Sequence, residues 1–117
     1  MLLIYGLKNC DTCQKAIRWV KAEKINFQFF DLRKDGITGI EIMKWVSIFG
    51  WQSMFNHRGT TWRKIGKNIE FEELNEFSAT KFMVNYPALV KRPIFKISEN
   101  FLIGFSEEQK IKIISLI

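Results

Sequence analysis

Leu2-Leu3-Ile4-Tyr5-Gly6-Leu7-Lys8-Asn9-Cys10-Asp11-Thr12-Cys13-Gln14-Lys15-Ala16-Ile17-Arg18-Trp19-Val20 is the stretch whose reading decides the fold. Leu2 to Tyr5 are apolar and β-prone, and Gly6 breaks the run, so a short buried strand is expected. A loop with Lys8, Asn9 and Cys10 follows. Asp11 or Thr12 is expected to cap a helix that starts immediately after Cys10, and capping is the favoured role of Thr12. Cys13, Ala16, Ile17 and Val20 then recur at helical spacing, while Lys15, Arg18 and Lys21 populate other faces. The helix is expected to end near Lys24. Phe27 to Leu32, with aromatics at 27, 29 and 30, reads as a second strand. Strand, helix and strand at this spacing make a βαβ unit with a right-handed crossover.

Beyond Asp35-Gly36, a turn, the character changes. Thr38 is a plausible cap, and Ile40 to Phe49 reads as a helix ending at Gly50. Arg58-Gly59-Thr60-Thr61-Trp62-Arg63 has no period and is expected to be a loop. From about Phe71 to Asn85 apolar groups return at helical spacing, so residues 37–88 read as a mostly helical insert. Strand character resumes at Pro93-Ile94-Phe95-Lys96-Ile97 and Phe101-Leu102-Ile103-Gly104, around a Ser98-Glu99-Asn100 turn. Ser106-Glu107-Glu108-Gln109 matches a capping box and opens an amphipathic helix to about Leu116. The order βαβ, helical insert, ββα is that of an α/β, thioredoxin-like fold with a mixed sheet. Its core would be residues 1–36 and 89–117 of a single domain, with the helical lobe inserted at 37–88.

Composition adds bounds. With 47% apolar and 26% charged residues, a core needs no covalent staples. The apolar N-terminal run is short and lacks a basic segment ahead of it, and no stretch approaches the ~20 residues of a membrane span. A cytoplasmic protein with no membrane association is expected. Its two cysteines lie three residues apart, and a reducing compartment favours catalysis or sensing over a structural disulfide. With a single histidine, His57, no metal site is expected within one chain. The net charge of +6 favours acidic partners. Its bases are scattered, however, and direct nucleic-acid binding is not expected.

Cys10 and Cys13 carry the chemistry. A thiol reacts as its thiolate, and a free thiol, with its pKa near ~8.5, is mostly protonated at neutral pH. Unpaired N–H groups and the dipole at a helix N-terminus favour the anion, and Cys10 is placed to benefit. Cys13, on the first turn, is close enough to attack a mixed disulfide on Cys10. Its place on the apolar face also fits a buried hydrophobe. His57 is read as a bystander, and Trp45, Phe49, Trp51 and Phe55 as packing. Trp62, in a motif-bearing loop, is a candidate for substrate contact.

Tyr5-Gly6-Leu7-Lys8-Asn9-Cys10-Asp11-Thr12-Cys13, with Lys15-Ala16 and Trp19, resembles the opening of the arsenate reductase/Spx superfamily. Arg58 to Lys64, Pro87-Ala88, Lys91-Arg92-Pro93-Ile94 and Gly104-Phe105-Ser106 extend the likeness over essentially the whole chain. The YffB-like branch is the most similar. The resemblance implies a thioredoxin-like fold with a helical insert and makes Cys10 the reactive cysteine. It implies an anion- or substrate-binding set of Asn9, Arg58, Arg92 and Pro93, with Pro93 in the cis form. Two departures stand out. Arsenate reductases place a third arginine where this chain has Gly104 and Phe105. Many YffB-like proteins lack a cysteine at the position of Cys13, whereas Spx regulators have the pair.

The leading expectation is a thiol–disulfide oxidoreductase that uses glutathione as co-substrate and binds no cofactor. Alternatives are an arsenate reductase acting on an oxyanion, and a redox-sensing regulator that binds the RNA polymerase α-subunit. A monomer is the default expectation for this length.

Overall fold

Alternation along Leu2-Leu3-Ile4-Tyr5-Gly6 sets the sheet, because every second residue of this strand is buried. The computed structural model describes all residues, 1–117. In chain order its regular elements begin with β1 (Leu2–Gly6), α1 (Asp11–Ala22), β2 (Phe27–Asp31), α2 (Gly39–Phe49), α3 (Trp51–Met54) and α4 (Thr60–Ile65). They continue with α5 (Glu76–Asn85), β3 (Ile94–Ile97), β4 (Asn100–Ile103) and α6 (Glu107–Leu116), and 3₁₀ turns lie at Phe71–Glu73 and Pro87–Leu89. The chain divides into two units, Met1–Gly36 with Arg92–Ile117, and Ile37–Lys91. No helix is long and apolar enough to cross a membrane.

The first unit holds a four-stranded sheet in the order β2-β1-β3-β4. β1 runs parallel to β2, with Leu2 beside Phe27 and Gly6 beside Asp31. β3 is antiparallel to β1, setting Leu2 against Ile97 and Ile4 against Phe95. These four residues therefore form one continuous apolar face. Ala16 and Val20 of α1 and Ile113 of α6 pack on it, with Trp19 and Phe105 at its margin. Each large side chain so buried contributes about 1.5–3 kcal/mol. This is the mixed-sheet α/β fold of thioredoxin-like type that the element order implied.

The local signals mostly hold, and the exceptions have physical causes. Ser106 and Gln109 form the expected reciprocal capping box on α6. Thr38 caps α2, its hydroxyl accepting the Glu41 N–H at 3.4 Å, and Gly50 closes the helix at φ 82°. α1 stops at Ala22, short of Lys24, because Lys24 takes a left-handed φ of 56°. The β3–β4 turn is tighter than expected. Asn100 already pairs with Ile97, leaving Ser98, at φ 52°, and Glu99 as the turn.

In the second unit α2 packs against α5, which Asn75 and Ser78 start with a reciprocal cap. The expected helical stretch from Phe71 is thus two pieces, the 3₁₀ turn and α5. The expected loop at 58–63 is corrected more sharply, since Thr60–Ile65 is helical. Tertiary packing overrides the weak local signal. Trp62 is buried edge-on against Phe55 at 5.1 Å and Phe82 at 5.2 Å. Gly66 ends α4 beneath that indole, where any Cβ would collide with the ring.

Candidate active site

A parallel βαβ crossover carries the chain from the end of β1 to the head of α1, and the two cysteines sit at that corner. Cys10 itself is the residue that precedes the helix, extended at φ −95° and ψ 123°. Neither Asp11 nor Thr12 caps α1. Both fall within its first turn, where the Asp11 carboxylate still suits the dipole. The Cys10 N–H donates to the Leu7 carbonyl at 3.2 Å, and its carbonyl accepts the Gln14 N–H at 3.0 Å. Its side chain is partly exposed, whereas Cys13 is wholly buried.

The two thiols ionise very differently. Burial opposes ionisation of Cys10. The Cys13 backbone N–H, the Arg92 side chain, the Cys13 thiol and the Arg92 charge together outweigh that penalty and hold Cys10 below its ordinary value. The Cys13 N–H acts here without closing a full capping hydrogen bond. Burial dominates at Cys13 and pushes it up to about 12, against a backbone contact from Leu7. The neighbouring Cys10 sulfur pushes it in the same direction. One thiol is therefore poised to be an anion and the other to keep its proton.

Cys13 rests on the backbone of β1. An added Cβ on Gly6 would lie 2.5 Å from the Cys13 Sγ, so the sulfur occupies the space a side chain would need. Arg92 reaches the site from the residue before a buried cis Pro93 that leads into β3. The cis form is the isomer the resemblance implied. The Pro93 carbonyl accepts the Gly104 N–H at 2.8 Å, which ties the arginine-bearing corner to the end of β4.

Cys10, Cys13 and Arg92 thus come together within the first unit, with Asn9 exposed beside them. Arg58 and Trp62 belong to the second unit. Arg58 is exposed just ahead of α4, and the Arg63 guanidinium donates to its carbonyl at 3.2 Å. The contact role expected of Trp62 rested on its lying in a loop; the indole is instead core, with 6% of its surface exposed. His57 stacks on Phe71 at 4.0 Å between ring centres. Sequence reasoning took Gly6 only as a strand breaker and missed Asp31, which the β1–β2 register brings beside the cysteine loop.

A β2-β1-β3-β4 sheet with a cysteine at the head of the first crossover helix defines a thioredoxin-like α/β protein. Residues 5–113 match the ArsC family, and the chain belongs to that family. It is 35% identical to an uncharacterised protein of Haemophilus influenzae over 109 residues, covering 93% of this chain and 95% of that one. A solved structure of a YffB protein is 31% identical, with a TM-score of 0.85 over 96% of this chain and 97% of that one. Global transcriptional regulator Spx 2 of Bacillus anthracis is 26% identical over 111 residues, covering 93% of this chain and 83% of the regulator.

Proposed function

We propose that this protein is a thiol–disulfide oxidoreductase coupled to glutathione, with the Cys10 thiolate as nucleophile. The observation that carries the reading is the placement of the paired thiols, Cys10 partly exposed as the residue that opens α1 beside Arg92 and Cys13 buried in the first turn behind it. The thiolate attacks one sulfur of a substrate disulfide. A Cys10–substrate S–S bond forms, the substrate's own S–S bond breaks, and the departing thiolate takes a proton from water. A second thiol then attacks the Cys10 sulfur and releases the other half of the substrate reduced.

Cys13 and glutathione both suit that second step. The Cys10 sulfur is one of the groups holding the proton on Cys13. Once Cys10 is tied up in a mixed disulfide, its negative charge is gone and Cys13 deprotonates more easily. The first step thereby prepares the resolving thiol. The resulting Cys10–Cys13 disulfide takes two electrons from two glutathione molecules, giving oxidised glutathione. Arg92, beside Cys10, is suited to an anionic group such as a glutathione carboxylate.

Reduced protein mixed with oxidised glutathione tests this by intact mass and peptide mapping. A glutathione adduct on Cys10, or a Cys10–Cys13 disulfide, is expected. As pH falls, the rate should hold until the lowered Cys10 midpoint is crossed, whereas a free peptide thiol slows earlier. Two unmodified cysteines alongside a reacting peptide thiol would defeat the reading.

Arsenate as substrate has less support. At the place where the resemblance calls for a third arginine, Gly104 has a left-handed φ of 84° that disfavours any side chain. Its neighbour Phe105 packs on Trp19 at 5.8 Å and Phe95 at 6.3 Å. A regulatory role is the second reading, favoured by the cysteine pair together with the likeness to Spx 2. Enrichment with the RNA polymerase α-subunit in a pull-down is its test, and an empty pull-down counts against it.

A further inference from the structure

The backbone of one residue, Lys8, anchors the loop that delivers Cys10 to α1 through the two peptide groups that flank its Cα. Its N–H donates to Asp31 Oδ2 at 3.0 Å. Its carbonyl accepts from Gln14 Nε2, also at 3.0 Å. Asp31 ends β2, 23 residues further along the chain, and is paired in register with Gly6. Its Oδ1 accepts the N–H groups of Arg33 at 2.9 Å and Lys34 at 3.0 Å. The next residue closes the corner, Leu32 N–H donating to the Gly6 carbonyl at 2.8 Å.

We propose that Asp31 and Gln14 are positioning residues for Cys10, gripping the Lys8 backbone on either side of its Cα so that the sulfur is held at the head of α1 beside Arg92. The proposal rests on the thiol reading above. An ionised carboxylate suits this clamp because it offers acceptor sites on both oxygens, and three backbone N–H groups converge on it. Slight burial opposes ionisation of Asp31. The N–H groups of Lys34, Lys8 and Arg33 and the Arg33 charge overcome it and keep the carboxyl below its usual range. Asparagine has one acceptor oxygen and cannot serve both sides. Gln14 contributes its amide donor from an exposed position on α1, so replacing it leaves the core intact.

The sign of the effect separates positioning from simple electrostatics. Cys10 is influenced by Arg92, two residues ahead of β3, and by Cys13 on α1; Lys8 and Asp11 are its charged neighbours in the chain. Asp31 adds a negative charge, so neutralising it acts directly to make Cys10 easier to ionise. Loosening the Lys8 grip acts the other way, since the sulfur then drifts from Arg92 and the helix N–H groups.

The test is the pH dependence of iodoacetamide alkylation at Cys10, resolved from Cys13 by peptide mapping, in wild type, Asp31→Asn and Gln14→Met. Both variants should raise the Cys10 midpoint by about one pH unit, roughly a tenfold loss of thiolate near neutrality. If Asp31→Asn fails to fold, Gln14→Met decides alone. A midpoint that is unchanged or lower in the folded variants overturns the clamp and leaves the thiol reading standing. An ordinary thiol midpoint in the wild type would defeat that reading, and the clamp with it.

Discussion

Replacing Cys10 by serine is expected to abolish glutathione adduct formation and disulfide exchange while leaving the protein folded. A serine hydroxyl stays protonated across the range in which Cys10 ionises, so the nucleophile is lost outright. The fold has no reason to suffer. Cys10 precedes α1 without a side-chain capping bond, and serine is among the preferred residues at that position. Its smaller oxygen can accept an N–H from the first turn, adding up to about 1 kcal/mol to stability.

The pH dependence of that stability difference also has a sign. Cys10 has a folded-state pKa below its unfolded value. Its thiolate therefore adds stability that is complete above the unfolded value and is lost as pH falls through the folded one. Serine forgoes this, so its advantage should be largest under acidic conditions and shrink as pH rises. Thermal unfolding at several pH values measures the trend, and mass spectrometry with oxidised glutathione measures the chemistry. Adduct formation in a folded Cys10→Ser variant would remove Cys10 from the mechanism. If that variant did not fold, Cys10→Ala would serve for the same measurement.

Legibility in the sequence followed the range of the interactions. β1, α1 and β2 were readable because their signals are local: an apolar run ended by Gly6, helical spacing from Cys13, and aromatics at Phe27, Phe29 and Phe30. The caps at Thr38 and Ser106 were readable for the same reason. α4 was not, because what folds Thr60–Ile65 is the burial of Trp62 against Phe55 and Phe82, partners many residues away. Within the site, the pairing of Cys10 with a helix start was legible from spacing. That Arg92 reaches it came from family resemblance, since no local pattern relates residues so far apart. Asp31 gave no signal at all. Only the Gly6–Asp31 pairing across β1 and β2 brings its carboxylate to Lys8.

Gly6 marks the limit of such reading, because as a strand breaker it looked like punctuation. In the fold it is the last buried residue of β1 and continues the face begun by Leu2 and Ile4, where the Cys13 sulfur lies flat against it. Replacing Gly6 by alanine would set a methyl 2.5 Å from the Cys13 Sγ and 3.4 Å from both the Cys13 Cβ and the Phe29 ring. The sulfur has nowhere easy to go, since Cys13 is fully buried and anchored in the first turn of α1. A destabilisation of about 1–3 kcal/mol is expected, the range for overpacking a filled core. Chemistry should suffer as well. Moving Cys13 also moves its backbone N–H, which helps hold Cys10 ionised, so the Cys10 midpoint should rise. The cause can be isolated in a Cys13→Ala background, where the missing sulfur makes room for the new methyl. There Gly6→Ala should cost much less, and the difference between the two backgrounds, about 0.5–3 kcal/mol, measures the contact itself. Equal losses in both backgrounds would assign the damage to the strand, and no loss in either would mean that Cys13 does not rest on Gly6.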